Sequence, residues 1–349
     1  MDFASRNFTN KILLIFAVVL GLYILKILSF IFLPLTFACL FAVIFMPFMR
    51  WANKRRLPKY ISLILAMVII ALVLGGAFVM ITLTGQEFLT GRAELYQKLD
   101  VRIGQVIEPY VNMLDIEVQK DDGFIKGLLY KSDISKQVMS LLGPGLIHIK
   151  NISTSVLITL FLLVLILAGS VNFKLIMQET LFQTPQQVVH VFNKITFGIS
   201  RFAVVKFCTS LMTGIIVGLL CLAFGISFPL LWGILTFFLN FIQMIGSIVV
   251  TIGVCAMAII DITHPGALMA AILLFIGIQI LIGSVLEPIL LGDACDINTV
   301  TVLIMLLFWG FLWGIAGMML AVPMAVLTKI ICEQFEQTRG LARIMSSRK

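Results

Sequence analysis

The sequence predicts an all-α fold: a polytopic transmembrane helical bundle of about eight crossings, with broken or re-entrant segments. Three observations predict it. Hydrophobic residues make up 60% of the chain, charged residues 12%, and the mean hydropathy is +1.11. No soluble domain has that balance. Several runs exceed the roughly 18 apolar residues that mark a transmembrane helix. Finally, the basic residues are concentrated. Arg50, Lys54, Arg55, Arg56 and Lys59 share one short loop with no acid, and Lys329, Arg339, Arg343, Arg348 and Lys349 crowd the C-terminal end. That is the bias of cytoplasmic loops. The net charge of +8 therefore reads as topology, and nucleic acid is not an expected partner.

The N-terminal region, 1–85, carries three predicted helices. Residues 12–49 are apolar apart from Lys26, Ser29 and Thr36, giving crossings near 12–32 and 34–50 joined tightly near Pro34. No small-residue cleavage site separates them, so a cleavable signal peptide is not expected. A third helix runs from about Tyr60 to Thr84, with Gly75 and Gly76 permitting close packing. Residues 86–151 differ in kind, with nine of the chain's 17 acids falling at 86–150. Leu89, Tyr96, Leu99, Ile103, Val106 and Tyr110 form a helical stripe of heptad type. This extracytoplasmic segment is suited to subunit contacts or to folding back on its own second helix.

The remaining region, 152–349, holds crossings near 152–172 and 203–225, with a mixed helical stretch returning to the cytoplasm between them. The run from Phe228 to Asp261 comes next. As one straight helix it would be about 50 Å long, against a bilayer core of about 30 Å. Asn240, Gln243, Gly246 and Ser247 interrupt it, so the expected break lies there, as one net traversal or as a re-entrant hairpin. The single traversal is the preferred reading. Broken backbone at membrane depth survives only beside protein or a polar cavity, and in transporters it is where solutes and ions bind. His264-Pro265-Gly266 forms a turn, and another crossing reaches about Leu286. The loop 287–298 contains Glu287, Asp293 and Asp296 and no base, which places it outside. The run 299–327 then crosses back to a cytoplasmic tail. Both termini are expected in the cytoplasm.

Few polar groups fall inside the apolar runs. Glu287 precedes Pro288, and proline disfavours helix in the residue before it. A carboxylate at such a break can bind a cation or exchange a proton, and an ionisable group at membrane depth is a functional candidate. Asn240, Gln243 and Ser247 share a helical face, with Gly246 as a backbone device. The candidate pathway residues are Asn240, Gln243, Gly246, Ser247, Glu287, Pro288 and Asp293. Asp261 reads as the aqueous end of its run. No H-E-x-x-H, G-x-S-x-G or Walker pattern is present, so no catalytic residues, enzyme activity or cofactor are expected. The six cysteines form no C-x-x-C pair, and no metal site is expected.

Four local patterns resemble one family. They are Gly225-Ile-Ser-Phe-Pro-Leu-Leu-Trp-Gly233, Asn240-Phe-Ile-Gln-Met-Ile-Gly246, Glu287-Pro-Ile-Leu-Leu-Gly292, and the segment from Trp309-Gly-Phe-Leu-Trp-Gly to Val322-Pro323. Their order and spacing resemble the autoinducer-2 exporter family of bacterial inner-membrane proteins, also described as PerM-type permeases. The family usually has proline where this chain has Gln243, which predicts a softer break here. The resemblance implies a secondary transporter exporting or exchanging a small solute, a localisation in the inner membrane, and a homo-oligomer, specifically a pentamer. It also implies an alternative, a sodium(lithium)/proton antiporter. A non-transporting membrane scaffold acting through 86–151 is a third reading. The partners expected are a small-molecule or cation substrate and the lipid bilayer.

Overall fold

The computed structural model describes residues 2–56, 58, 60–70, isolated positions between 72 and 82, residue 98, and residues 154–170, 185–292 and 296–347. Most of the polar segment 86–151 and its stripe lie outside the described residues. Those described are helical, with no strand among them. The chain forms two compact units. One comprises 1–68, 155–204 and 291–349; the other comprises 69–154 and 205–290. By length and composition alone, four described helical stretches could cross a membrane: Ser29–Ala52, Val189–Ala223, Pro265–Leu291 and Thr299–Cys332, the last of them interrupted at Trp313 and Gly314.

The first two helices are Asp2–Ile27 and Ser29–Lys54, with Leu28 alone between them. Leu28 N–H donates to Ile24 O at 2.9 Å, and Phe32 N–H donates to Leu28 O at 3.0 Å. Helical bonding thus runs into and out of Leu28. An antiparallel helix pair needs a loop of about 2–5 residues, so the chain bends here without turning back. The joint is not at Pro34, as the sequence suggested; Pro34 lies inside the second helix. Membrane helices tolerate such prolines because neighbouring groups satisfy the freed carbonyl. The two stretches expected at 173–201 and 203–225 also join, over their described residues, into one helix, Pro185–Ala223.

The run 228–261 is a re-entrant hairpin within the second unit. Its arms are Pro229–Leu239 and Ile245–Asp261. At its mouth, Ser227 N–H donates to Asp261 Oδ2 at 2.7 Å. Further in, a Cβ on Gly253 would press on the Trp232 ring, and at the tip a Cβ on Gly246 would fall on the carbonyl of Leu239. One partner moves up the chain as the other moves down, which only antiparallel arms do. The turn passes through Met244 at φ 62°, ψ −55°. The expectation of a single net traversal is therefore corrected. The break is also sharp without proline at 243, because Gly246 lets the arms touch backbone to backbone.

The arm 229–239 lies along the long helix through glycines. A Cβ on Gly214 would meet Gly233 O at 2.7 Å, and one on Gly218 would meet Pro229 O at 3.4 Å. Close approach through small residues replaces the hydrophobic drive that lipid cannot supply. The other arm buries Val250, Val254, Met257 and Ala258 against Val217, Cys221, Ala271 and Phe275.

The last apolar run is a second hairpin, in the first unit. Thr299–Cys332 is interrupted at Trp313 (φ −129°, ψ 16°) and Gly314 (φ 61°, ψ −143°), the latter a conformation open essentially to glycine alone. Asp296 pairs with Lys329 at 2.8 Å, a Cβ on Gly310 would meet Met318, and one on Gly317 would fall on the carbonyl of Trp309. The arms are again antiparallel. At the tip, Trp313 Nε1 donates to Leu25 O at 3.1 Å, and Lys26 Nζ sits 3.8 Å from the centre of the Phe311 ring. The returning arm packs Val322, Val326 and Ile330 against Val191, Ile195, Ile199 and Phe202. The expected crossing at 299–327 is thus corrected, and with it the placement of the loop 287–298 opposite the tail. Asn298 N–H donates to Met345 O at 2.9 Å, so loop and tail share one side. Two expected traversals are hairpins instead.

Candidate functional site

The tip of the first hairpin meets a buried ion pair. Lys206 lies on the long helix and Glu287 on the helix Pro265–Leu291. Their side chains are 3% and 2% exposed. Lys206 Nζ donates to both carboxylate oxygens of Glu287 at 2.9 Å, and to Gln243 Oε1 at 3.2 Å. All three ammonium protons thereby find an oxygen. One turn along, Asn240 Nδ2 donates to Ser210 Oγ at 3.0 Å. Both charges have left water, at a desolvation cost of several kcal/mol each. The site holds them because the geometry is bidentate and Gln243 supplies a third acceptor.

The backbone explains why Glu287 is there. Pro288 has no N–H and its ring crowds the preceding turn. The chain responds by widening into a π helix over Ile280–Leu286 and continuing as an α-helix over Glu287–Leu291. Glu287 itself is helical, at φ −60°, ψ −50°. The expected helix break at Glu287-Pro288 is therefore corrected to a widened turn, a feature common at functional sites. The turn away comes later, at Gly292 with φ 52°.

Of the sequence candidates, Asn240, Gln243 and Glu287 come together. Gly246 supports them by letting the arms close. Ser247 does not join them; its hydroxyl donates to Met244 O at 2.9 Å, a local bond in the turn. Pro288 is exposed and shapes the backbone. Asp293 lies outside the described residues. Sequence reasoning missed Lys206 and Ser210. The signal was present: Lys206, Thr209, Ser210 and Thr213 recur at i, i+3, i+4 and i+7, the spacing of one helical face. All four are at most 3% exposed.

Two further clusters close the hairpin mouths. In the second unit, Asp261 is 2% exposed and pairs with Lys98 at 3.1 Å, while Ser227 Oγ donates to Asp261 Oδ1 at 3.0 Å. In the first unit, Asp296 accepts from Lys329 Nζ at 2.8 Å, from the hydroxyls of Ser346 and Ser347, and from Ser347 N–H at 3.1 Å. Burial alone would raise the Asp296 carboxyl, but the bonds from Lys329, Ser346 and Ser347 and the Lys329 charge outweigh it. They hold the group well below the usual carboxylate range.

A buried ion pair beside a broken, doubled-back helix is a functional candidate of the kind transporters place at membrane depth. The chain is 26% identical over 355 residues to a candidate transport protein of Haemophilus influenzae, covering 98% of this chain and 97% of the relative. It is 26% identical over 320 residues to a protein of Escherichia coli named AI-2 transport protein TqsA, covering 90% and 89%. It is 34% identical over 185 residues to a candidate transport protein of Borreliella burgdorferi, covering 52% and 51%. The sequence profile described as "AI-2E family transporter" matches residues 12–337. Bundle, hairpins and relatives together make this chain a bacterial integral membrane protein of the AI-2E transporter family.

Proposed function

We propose that this protein is a secondary transporter of the inner membrane that moves a small polar solute outward, with Glu287 carrying the coupling step. The observation that supports this reading most is the Lys206–Glu287 pair against the hairpin tip, at 2.9 Å and 2–3% exposed. A carboxylate kept charged in a dry environment needs a cation, and a transporter can exchange the one that satisfies it. The amides of Asn240 and Gln243 add neutral donors and acceptors suited to a polar solute. The relative named for AI-2 transport makes autoinducer-2 the first solute to test.

The test is solute flux in proteoliposomes under imposed pH and sodium gradients. Export should follow one of the gradients, and E287Q should abolish gradient-driven flux while leaving the protein in the membrane. Gradient-independent flux unchanged by E287Q sinks the reading. A second reading, a cation/proton antiporter with no organic solute, is favoured by the same ion pair, which needs no solute to be complete. It predicts proton movement driven by sodium alone. The homo-oligomer and cytoplasmic termini belong to this proposal too; chemical cross-linking in native membranes tests the first.

A further inference from the structure

The Lys206 ammonium is surrounded by oxygen. Its three contacts are both carboxylate oxygens of Glu287, at 2.9 Å, and the amide oxygen of Gln243, at 3.2 Å. An oxygen-only shell is what hard inorganic cations take. The three groups come from three different elements: the long helix, the hairpin tip and the helix ending at Leu291. The shell therefore forms only when these elements are assembled. One carboxylate matches one positive charge, so a divalent ion would leave surplus charge buried. Lysine is also a compact point charge on a flexible four-carbon stem, able to withdraw without moving its helix.

We propose that Glu287 and Gln243 form a binding site for a monovalent inorganic cation, and that the Lys206 ammonium is its tethered occupant and competitor. This rests on the reading that Glu287 carries the coupling step. Cation and ammonium then alternate on the same oxygens. A cation entering the site displaces Lys206, and Lys206 returning expels the cation. The lysine sets how weakly the site holds its ion, which a transporter needs for release.

The test uses the full chain in lipid nanodiscs, with sodium chloride as the probe and choline chloride at equal ionic strength as the control. Thermal unfolding is followed as sodium is raised. Wild type should gain little from sodium over choline. K206Q removes the competitor and leaves Glu287 bare, so sodium should stabilise it, with a midpoint at least tenfold lower in concentration than in wild type. K206R keeps a tethered charge and should behave as wild type does. K206Q/E287Q should show no sodium response. If K206Q responds equally to sodium and choline, the proposal is overturned. A sodium response surviving in the double variant overturns it too. None of these readouts requires flux, so failure to export a solute leaves the binding result standing on its own.

Discussion

Lys206 is one positive charge within an apolar helix, and its value depends on Glu287. Removing one member of a buried pair typically costs about 3–5 kcal/mol, because the other charge is stranded, while replacing both with apolar groups of similar size is often neutral. We expect E287L alone to lower the unfolding midpoint sharply and K206M/E287L to recover most of the loss, measured by thermal unfolding in detergent. Asp296 makes a different prediction. Its folded carboxyl is held below its unfolded value, so the clasp contributes fully above about pH 4, the unfolded carboxylate value, and is lost as pH falls through the lower folded value. Tail protection against protease should therefore be flat from pH 8 to 5 in wild type. D296N should lose it across that whole range. The sequence displayed Glu287, because a lone acid beside proline is conspicuous. It displayed Lys206 just as plainly, but only a partner 81 positions away gives that lysine meaning.

At the scale of elements, both hairpins are built the same way. In each, a glycine lies where the opposite arm's carbonyl occupies the space of a Cβ: Gly246 under Leu239, and Gly317 under Trp309. We expect G246A and G317A each to cost more than the roughly 1–3 kcal/mol of ordinary overpacking, because backbone cannot step aside as a side chain can. G277A, with nothing within 4 Å of its added Cβ, should unfold as wild type does. Comparing the three variants by thermal unfolding separates lost helix flexibility from lost hairpin closure. The glycines, the polar notch and the excess length were all legible in sequence. Their geometry was not. A broken traversal and a hairpin share the same residues, and only contacts between arms distinguish them.

For the whole molecule, the two hairpins revise the topology that the apolar runs suggested. Single cysteines at Ile297 and Ser347 should label from one and the same side, and cysteines at Phe224 and Thr263 should likewise share a side. Labelling of 297 and 347 from opposite sides would restore a crossing at 299–327. By itself, the sequence determined the class: an all-α membrane bundle, with its long polar insert, its basic loop and tail and its broken run at 228–261. Composition and periodicity decide these because they express each segment's preference for lipid or water, which is local. The tertiary structure alone decided that this run and the last apolar run double back, that the acidic loop faces the tail, and that Glu287 is answered by Lys206. Those depend on which distant backbones can touch and which buried charges must pair. Such constraints are set by packing between segments, and no single segment carries them.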